Sequence, residues 1–299
     1  MVALVGIIYF KEVTYMELLS EGSWLTDLFI KIFGDQSGKP VGTFSLTHIF
    51  LILLSFGLPV IFYFIYKSKS DDSKYRLLKV LTIIFPISYC VDYLLQPFYG
   101  GWNIETMGGY YIGTDKLPFQ ICTLTGAILI PLSFFNKKIM KIRDVVVVWT
   151  LIAASIYVVY PGDHLDKGPL YQYSVFQSYI FHMLMILWGT LMIMTRQVEF
   201  DIKKSYRVVI LFFIEFIWAG IGNLMYYPTE DYFFIISTIE LPEWFPLSFL
   251  KGTSVEWISI PIMIIFMSAL ALFVYYLLYK INKIRDIKGQ NKFAMTEIR

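Results

Sequence analysis

The sequence predicts an all-α, polytopic membrane protein built as a bundle of seven membrane-crossing helices. Three observations carry that prediction. Of 299 residues, 57% are apolar and only 16% charged, more apolar surface than a water-soluble domain of this length hides. Seven stretches, residues 45–66, 78–97, 117–135, 144–160, 173–194, 207–227 and 257–279, are apolar over close to the ~20 residues that a crossing helix needs. The basic residues between them alternate in number. Connections 67–79, 136–143, 195–207 and the tail from Lys280 carry 5, 4, 4 and 6 lysines and arginines. The amino-terminal segment and connections 98–117, 161–172 and 228–256 carry 3, 1, 1 and 1. Because cytoplasmic loops are the basic ones, the amino terminus is expected outside and the carboxy terminus in the cytoplasm. Topology alone accounts for the basic face, without a nucleic-acid partner.

Along the chain, the first element expected is not a span. Met1 to Phe10 is apolar but short and lacks a basic leader, so no cleavable signal peptide is expected. In SWLTDLFIKIF, Trp24, Leu25, Leu28, Phe29, Ile32 and Phe33 share one helical face and Asp27 and Lys31 another, which fits a helix in the outer interface or a lid over the bundle. Three units follow from these boundaries: an extracellular segment 1–44, the seven-helix domain 45–280 and a basic cytoplasmic tail 281–299. The outer connections read as functional loops. One holds five glycines beside Trp102, Asn103 and Glu105; another carries Tyr232 and Trp244.

Polar side chains within the spans are costly in hydrocarbon and face the bundle interior or a wet cavity. Counting about 1.5 Å per residue from the outer helix ends, His48 and Asn223 lie about 5 Å deep, Asp92 and Cys122 about 8 Å, His182 about 14 Å and Glu215 about 16 Å. They recur at four-residue spacing, which shares a helix face: Ser88, Asp92 and Gln96; Ser174, Ser178 and His182; Glu215, Ala219 and Asn223; Cys122 and Gly126. The pattern predicts a polar pocket opening outward. The inner halves of the same spans are aliphatic, which argues against a continuous ion path.

In such a pocket, a cysteine and a histidine of comparable depth suit nucleophilic catalysis, the thiolate attacking an acyl carbonyl while the imidazole takes and returns the proton. Cys122 and His182 are the expected pair. Asp92 or Glu215 would orient the imidazole, and Asn223, Tyr226 or a backbone amide near Pro118 would hold an oxyanion. Other readings stand beside this one. Cys122 can be inert packing, or can pair with Cys90, about 10 Å deep on the neighbouring span, in the oxidising compartment. His48 fits a structural role near the interface. No His-x-x-x-His or Cys-x-x-Cys spacing supports a metal, His164 with Asp163 and Asp166 is a weak set, and no cofactor motif occurs.

With these residues in view, LPFQICTLT around Cys122 resembles the Leu-Pro-x-x-x-Cys signature of the YwaF-like bacterial integral membrane family and of its vertebrate relatives, transmembrane acyltransferases of ether phospholipids. FSLTHIF around His48, Trp149 leading to Pro161, SYIFHMLMI around His182, and GNLMYYP around Asn223 and Tyr226 follow in order. The resemblance implies a seven-helix bundle in the bacterial plasma membrane with a catalytic cysteine at Cys122 and a partner histidine at His182. A more distant likeness is to the androgen-induced and androgen-dependent membrane hydrolases, which use threonine with histidine. Where bacterial members commonly carry a histidine two positions before the cysteine and an acidic residue just after it, this chain has Gln120 and Thr123.

Together these readings give a lipid acyltransferase, transacylase or acyl-ester hydrolase acting on membrane phospholipid and lysolipid, without cofactor or metal. The alternative is a non-enzymatic transporter or ligand-binding sensor that uses Asp92 and Glu215 and needs no reactive thiol. Oligomeric state is open.

Overall fold

The computed structural model describes residues 24–33, 38–99, 117–161, 165, 168–226, 253 and 258–297. Among them there is helix and no strand. In chain order the helices are α1 (Trp24–Phe33), α2 (Leu46–Tyr66), α3 (Asp71–Tyr99), α4 (Ile121–Phe135), α5 (Arg143–Val159), α6 (Tyr173–Met194), α7 (Tyr206–Tyr226) and α8 (Ser259–Glu297). The glycine-rich loop with Trp102, Asn103 and Glu105, the His164 group, and Tyr232 and Trp244 lie outside the described residues.

Among the described residues six helices are long and apolar enough to cross a bilayer: α2, α3, α5, α6, α7 and α8. The sequence reading expected seven. The difference is α4, a composite of only 15 apolar residues, against the ~20 of a full crossing. Its predicted start at residue 117 is instead a turn, Leu117–Gln120, and helix begins at Ile121. Pro131 explains the middle of α4. A proline lacks the N–H for the i−4 bond and its ring crowds that carbonyl, and the turn ahead of it widens into a π-helical segment, Leu124–Leu129, closed by Ile130 N–H to the Thr125 carbonyl.

The other end that moved is that of α8. The expected tail from residue 281 is largely a continuation of helix to Glu297. No proline falls between Lys280 and Glu297, and a single glycine costs only about 1 kcal/mol in a helix interior.

The core lies between α5 and α6, and α6 packs on α2, α3 and α5. In α6 67% of the apolar window is buried, whereas in α2 and α8 it is 17%, so these two present Leu53, Phe64, Ile265 and Phe273 to lipid. Two tryptophans tie layers together. The Trp149 indole N–H donates to the Val208 carbonyl at 2.9 Å and its ring stacks on Phe212, while Trp188 donates to the Thr82 hydroxyl at 2.9 Å. Helix α1 docks Phe33 edge-on to Tyr173 and leaves Trp24, Leu28 and Ile32 exposed on one stripe.

The basic connections converge on one end of the bundle. Arg143 donates to the carbonyls of Ser133, Phe134 and Gln197, and Arg285 to those of Ile193 and Met194. Each guanidinium thus satisfies carbonyls that a helix C-terminus leaves unpaired. Arg207 reaches the Lys141 carbonyl, and the Tyr275 hydroxyl donates to Asp144 at 2.6 Å.

Candidate functional site

Cys122 owes its position to the two faces of α4. Thr125, three residues on, turns towards α7 and donates its hydroxyl to Glu215 Oε1 at 3.1 Å. One turn earlier, the Pro118 carbonyl accepts from the Trp218 indole at 2.8 Å, with Phe119 against the same ring. Gly126 turns towards α6 and lies so close to Phe181 and Met185 that an added Cβ would fall 2.5 Å from the Phe181 ring. Residues three and four apart share a helix face, which puts Cys122 on the side of α4 that borders the seam with α6 and α7 through Gly126 and Thr125, while its own segment, Ile121–Thr123, packs on α5. Its thiol is within electrostatic reach of Glu215 and of Tyr157 on α5.

The same contacts fix its depth. Pro118 and Thr125 are abreast of Trp218 and Glu215, which stand about 12 and 16 Å below the Tyr226 end of α7 at the usual helical rise. Along the bundle Cys122 therefore stands at the level between Trp218 and Glu215, and the Leu117–Gln120 turn lies beside α7. Non-helical backbone at membrane depth is tolerated only where protein or a wet cavity surrounds it. Gln120 opens α4 with extended backbone (φ −71°, ψ 136°), its carbonyl accepting from Leu124 N–H while its side chain makes no cap.

On α6, Ser178 organises the histidine. Its carbonyl takes His182 Nδ1 at 2.7 Å. A carbonyl can only accept, so Nδ1 carries the proton and Nε2 of the neutral ring presents its lone pair. Nε2 is buried and, among the described residues, has no hydrogen-bond partner. The Tyr157 ring stacks on the imidazole, centroids 3.6 Å apart and planes 11° apart, and its hydroxyl shares a hydrogen with Ser178 Oγ at 2.7 Å. Tyr157 thus bridges the His182 side of the seam and the Cys122 side. The structure contains no Cys122–His182 hydrogen bond, since Nε2 is unpartnered.

The remaining predicted residues divide. Asp92 is buried within electrostatic reach of Tyr157 and Tyr173, and its helix reaches α6 through the bond from Gln177 to Ser88 at 3.2 Å. Neither Asp92 nor Glu215 orients the imidazole, a task that the Ser178 carbonyl performs. Glu215 faces Thr125 instead, its Oε2 buried and unpartnered. His48 is committed to backbone: Nδ1 accepts from Phe44 N–H at 2.9 Å and Nε2 donates to the Val158 carbonyl at 3.0 Å, bracing the entry to α2, where Phe44 adopts φ 60°. Asn223 is buried on α7, and Tyr226 closes that helix. Cys90 and Cys122 are both free thiols, Cys90 on an exposed face. Among the described residues no three His, Cys, Asp or Glu side chains gather as a metal site.

Sequence reasoning missed Tyr157 and the hub role of Ser178. Tyr157 stands alone in an aliphatic span, off every four-residue polar stripe, and a contact between helices leaves no periodic trace. A polar hydroxyl close to the level of His182 on a neighbouring span was the available signal.

No curated protein and no solved structure matches this chain. A family model does, over residues 43–279, a range that takes in Cys122, Tyr157, His182 and Glu215. On that match the chain is an integral membrane protein of the TMEM164 family.

Proposed function

We propose that the seam holds a lipid acyl-transfer site in which Cys122 is the nucleophile and His182 Nε2 the base. The observation that supports this most is the fixed tautomer of His182: a backbone carbonyl takes the Nδ1 proton and leaves the Nε2 lone pair buried without a partner. A buried unpaired acceptor is costly and is the form a general base takes before substrate arrives, since catalytic hydrogen bonds are often long in the unliganded state. In the first half of the reaction Nε2 takes the thiol proton, the sulfur attacks an ester carbonyl, and the proton returns to the departing lysolipid oxygen. The thioester carries the acyl group. The leading N–H groups of Ile121 and Cys122, unpaired within a helix's first turn, are suited to the tetrahedral oxyanion. A lysolipid alcohol as acceptor gives transfer; water gives hydrolysis.

Depth shapes the substrate. Ester carbonyls of a resting bilayer lie near the headgroups, so the donor has to enter the seam past the Leu117–Gln120 turn. In this reading α4 with its preceding turn counts as the seventh crossing, the basic end is cytoplasmic, and the seam opens to the outer half of the membrane. The motif around Cys122 adds the likeness to YwaF-like bacterial proteins and so to a bacterial plasma membrane.

The test is intact-protein mass spectrometry of purified wild type and Cys122→Ala after incubation with defined phospholipids, before and after hydroxylamine. A fatty-acyl adduct on the wild type alone, released by hydroxylamine and absent from His182→Ala, is expected. One observation favours a second reading, a binder with a polar pocket: thiol and imidazole are not in hydrogen-bond contact. That reading predicts no adduct, and ligand binding that survives Cys122→Ala but not Glu215→Ala.

A further inference from the structure

Three buried side-chain polar atoms lack a hydrogen-bond partner among the described residues: Gln172 Oε1, His182 Nε2 and Glu215 Oε2. Two of the three border the Cys122 seam. They belong to different helices, His182 to α6 and Glu215 to α7, and α4 runs between. The Glu215 carboxyl is 1% exposed, receives the Thr125 hydroxyl at Oε1 and, among the described residues, forms no ion pair with a Lys, Arg or His. A carboxyl that merely glued α4 to α7 would need only Oε1, and a glutamine or serine would serve at lower cost, because burying an ionisable group without a cation is expensive. Among the described residues nothing hydrogen-bonds the second oxygen.

We propose that Glu215 is a catalytic residue of the second half of the transfer, its Oε2 taking the proton of the lipid alcohol that attacks the Cys122 thioester. This rests on the acyl-transfer reading above and assigns its two halves to two bases. The carboxylate removes the hydroxyl proton as the alcohol oxygen bonds to the thioester carbon. The carbon–sulfur bond then breaks with its electron pair leaving on sulfur, and the proton held by Glu215 passes to the thiolate, restoring thiol and carboxylate. His182 serves the donor on the α6 side, Glu215 the acceptor on the α7 side, and the outgoing lysolipid need not vacate the imidazole before the alcohol is seated.

Three variants separate this role from a structural one: Glu215→Gln, Glu215→Asp and Thr125→Val. Glutamine keeps the oxygen that accepts from Thr125 and the residue's volume but takes no proton; aspartate keeps the proton acceptor but sits one methylene short of Thr125. Thioester formation and transfer to lysolipid are measured separately, by mass spectrometry of the adduct and by the chain-labelled lipid product. Expected are a Glu215→Gln protein that acylates at the wild-type rate, accumulates the hydroxylamine-labile adduct and transfers about 10²-fold or more slowly, the range for losing a positioned general base, with Asp transferring faster than Gln and Thr125→Val within a few-fold of wild type. Structural glue predicts the opposite order, Gln near wild type and Asp and Val impaired together. Gln transfer within twofold of wild type, or acylation and transfer falling in parallel, overturns the assignment. A wild type that forms no adduct overturns the Cys122 reading and this inference with it, whereas an adduct that Glu215→Gln discharges normally overturns this inference alone.

Discussion

Gly126→Ala puts the closest helix approach of the site under direct test. The new methyl would lie 2.5 and 2.7 Å from Cζ and Cε1 of Phe181 and 3.2 Å from Met185 Sδ. Reaching ordinary contact demands that the ring retreat by about 0.9 Å. It has little room to do so, because Phe181 is buried and set edge-on to Phe85, centroids 5.6 Å apart, and Phe85 has no exposed surface. Overpacking of this kind costs about 1–3 kcal/mol. Replacing a helical glycine by alanine returns about 1 kcal/mol, so clash exceeds propensity and a net loss of about 0–2 kcal/mol is expected. The larger consequence is geometric. Phe181 precedes His182, and a displacement approaching 1 Å at a reacting group costs about 10²-fold in rate. Thermal unfolding in detergent and adduct formation on Cys122 read the two effects, with Gly126→Val as a graded second step. A Gly126→Ala protein that melts higher than wild type and acylates within twofold of it would refute the argument, since helix propensity would then have won and the approach of α4 to α6 would not be limiting.

Further expectations are smaller. Tyr157→Phe keeps the stack on His182 but strands the Ser178 hydroxyl, costing about 1 kcal/mol, with acylation within a few-fold of wild type; Tyr157→Ala uncovers the imidazole face and should slow adduct formation more than tenfold, read by the same mass shift. Trp188→Phe removes the bond to the buried Thr82 hydroxyl and should cost about 1–3 kcal/mol in detergent unfolding. His48→Ala orphans the Phe44 N–H for a similar loss of stability, while the folded fraction, isolated by size exclusion, acylates at the wild-type rate. Cys90→Ser, on an exposed face, should leave both stability and adduct formation within error of wild type.

What the sequence disclosed follows from which forces leave a periodic trace. Apolar runs reveal α2, α3, α5, α6, α7 and α8, because lipid demands the same composition over a fixed length. Polar stripes with a four-residue period brought Asp92, His182 and Glu215 to notice, each of which is buried. Their partners were not legible. Ser178 orients His182 through a backbone carbonyl, which every residue type possesses, and Tyr157 meets His182 across helices. The shortness of α4 escaped for a related reason: Pro118 and Pro131 are visible in the sequence, but composition alone does not say that the first sits in a turn inside the bundle and the second follows a π-helical segment.

Those two prolines bear on why Cys122 stands where it does. A regular helix from residue 117 would have satisfied its interior backbone groups within itself, the default in hydrocarbon, leaving only the leading N–H groups at its end without an intrahelical partner. The Leu117–Gln120 turn moves the helix start inward to the level of Glu215 and Trp218, so the first turn of α4 lies within the bundle. π-helical turns often mark functional sites, and here the widened turn begins two residues after Cys122, with Thr125 and Gly126 inside it directed to different neighbours. The Leu117–Gln120 turn and the π-helical segment both depart from regular helix, and they flank Cys122 on its two sides.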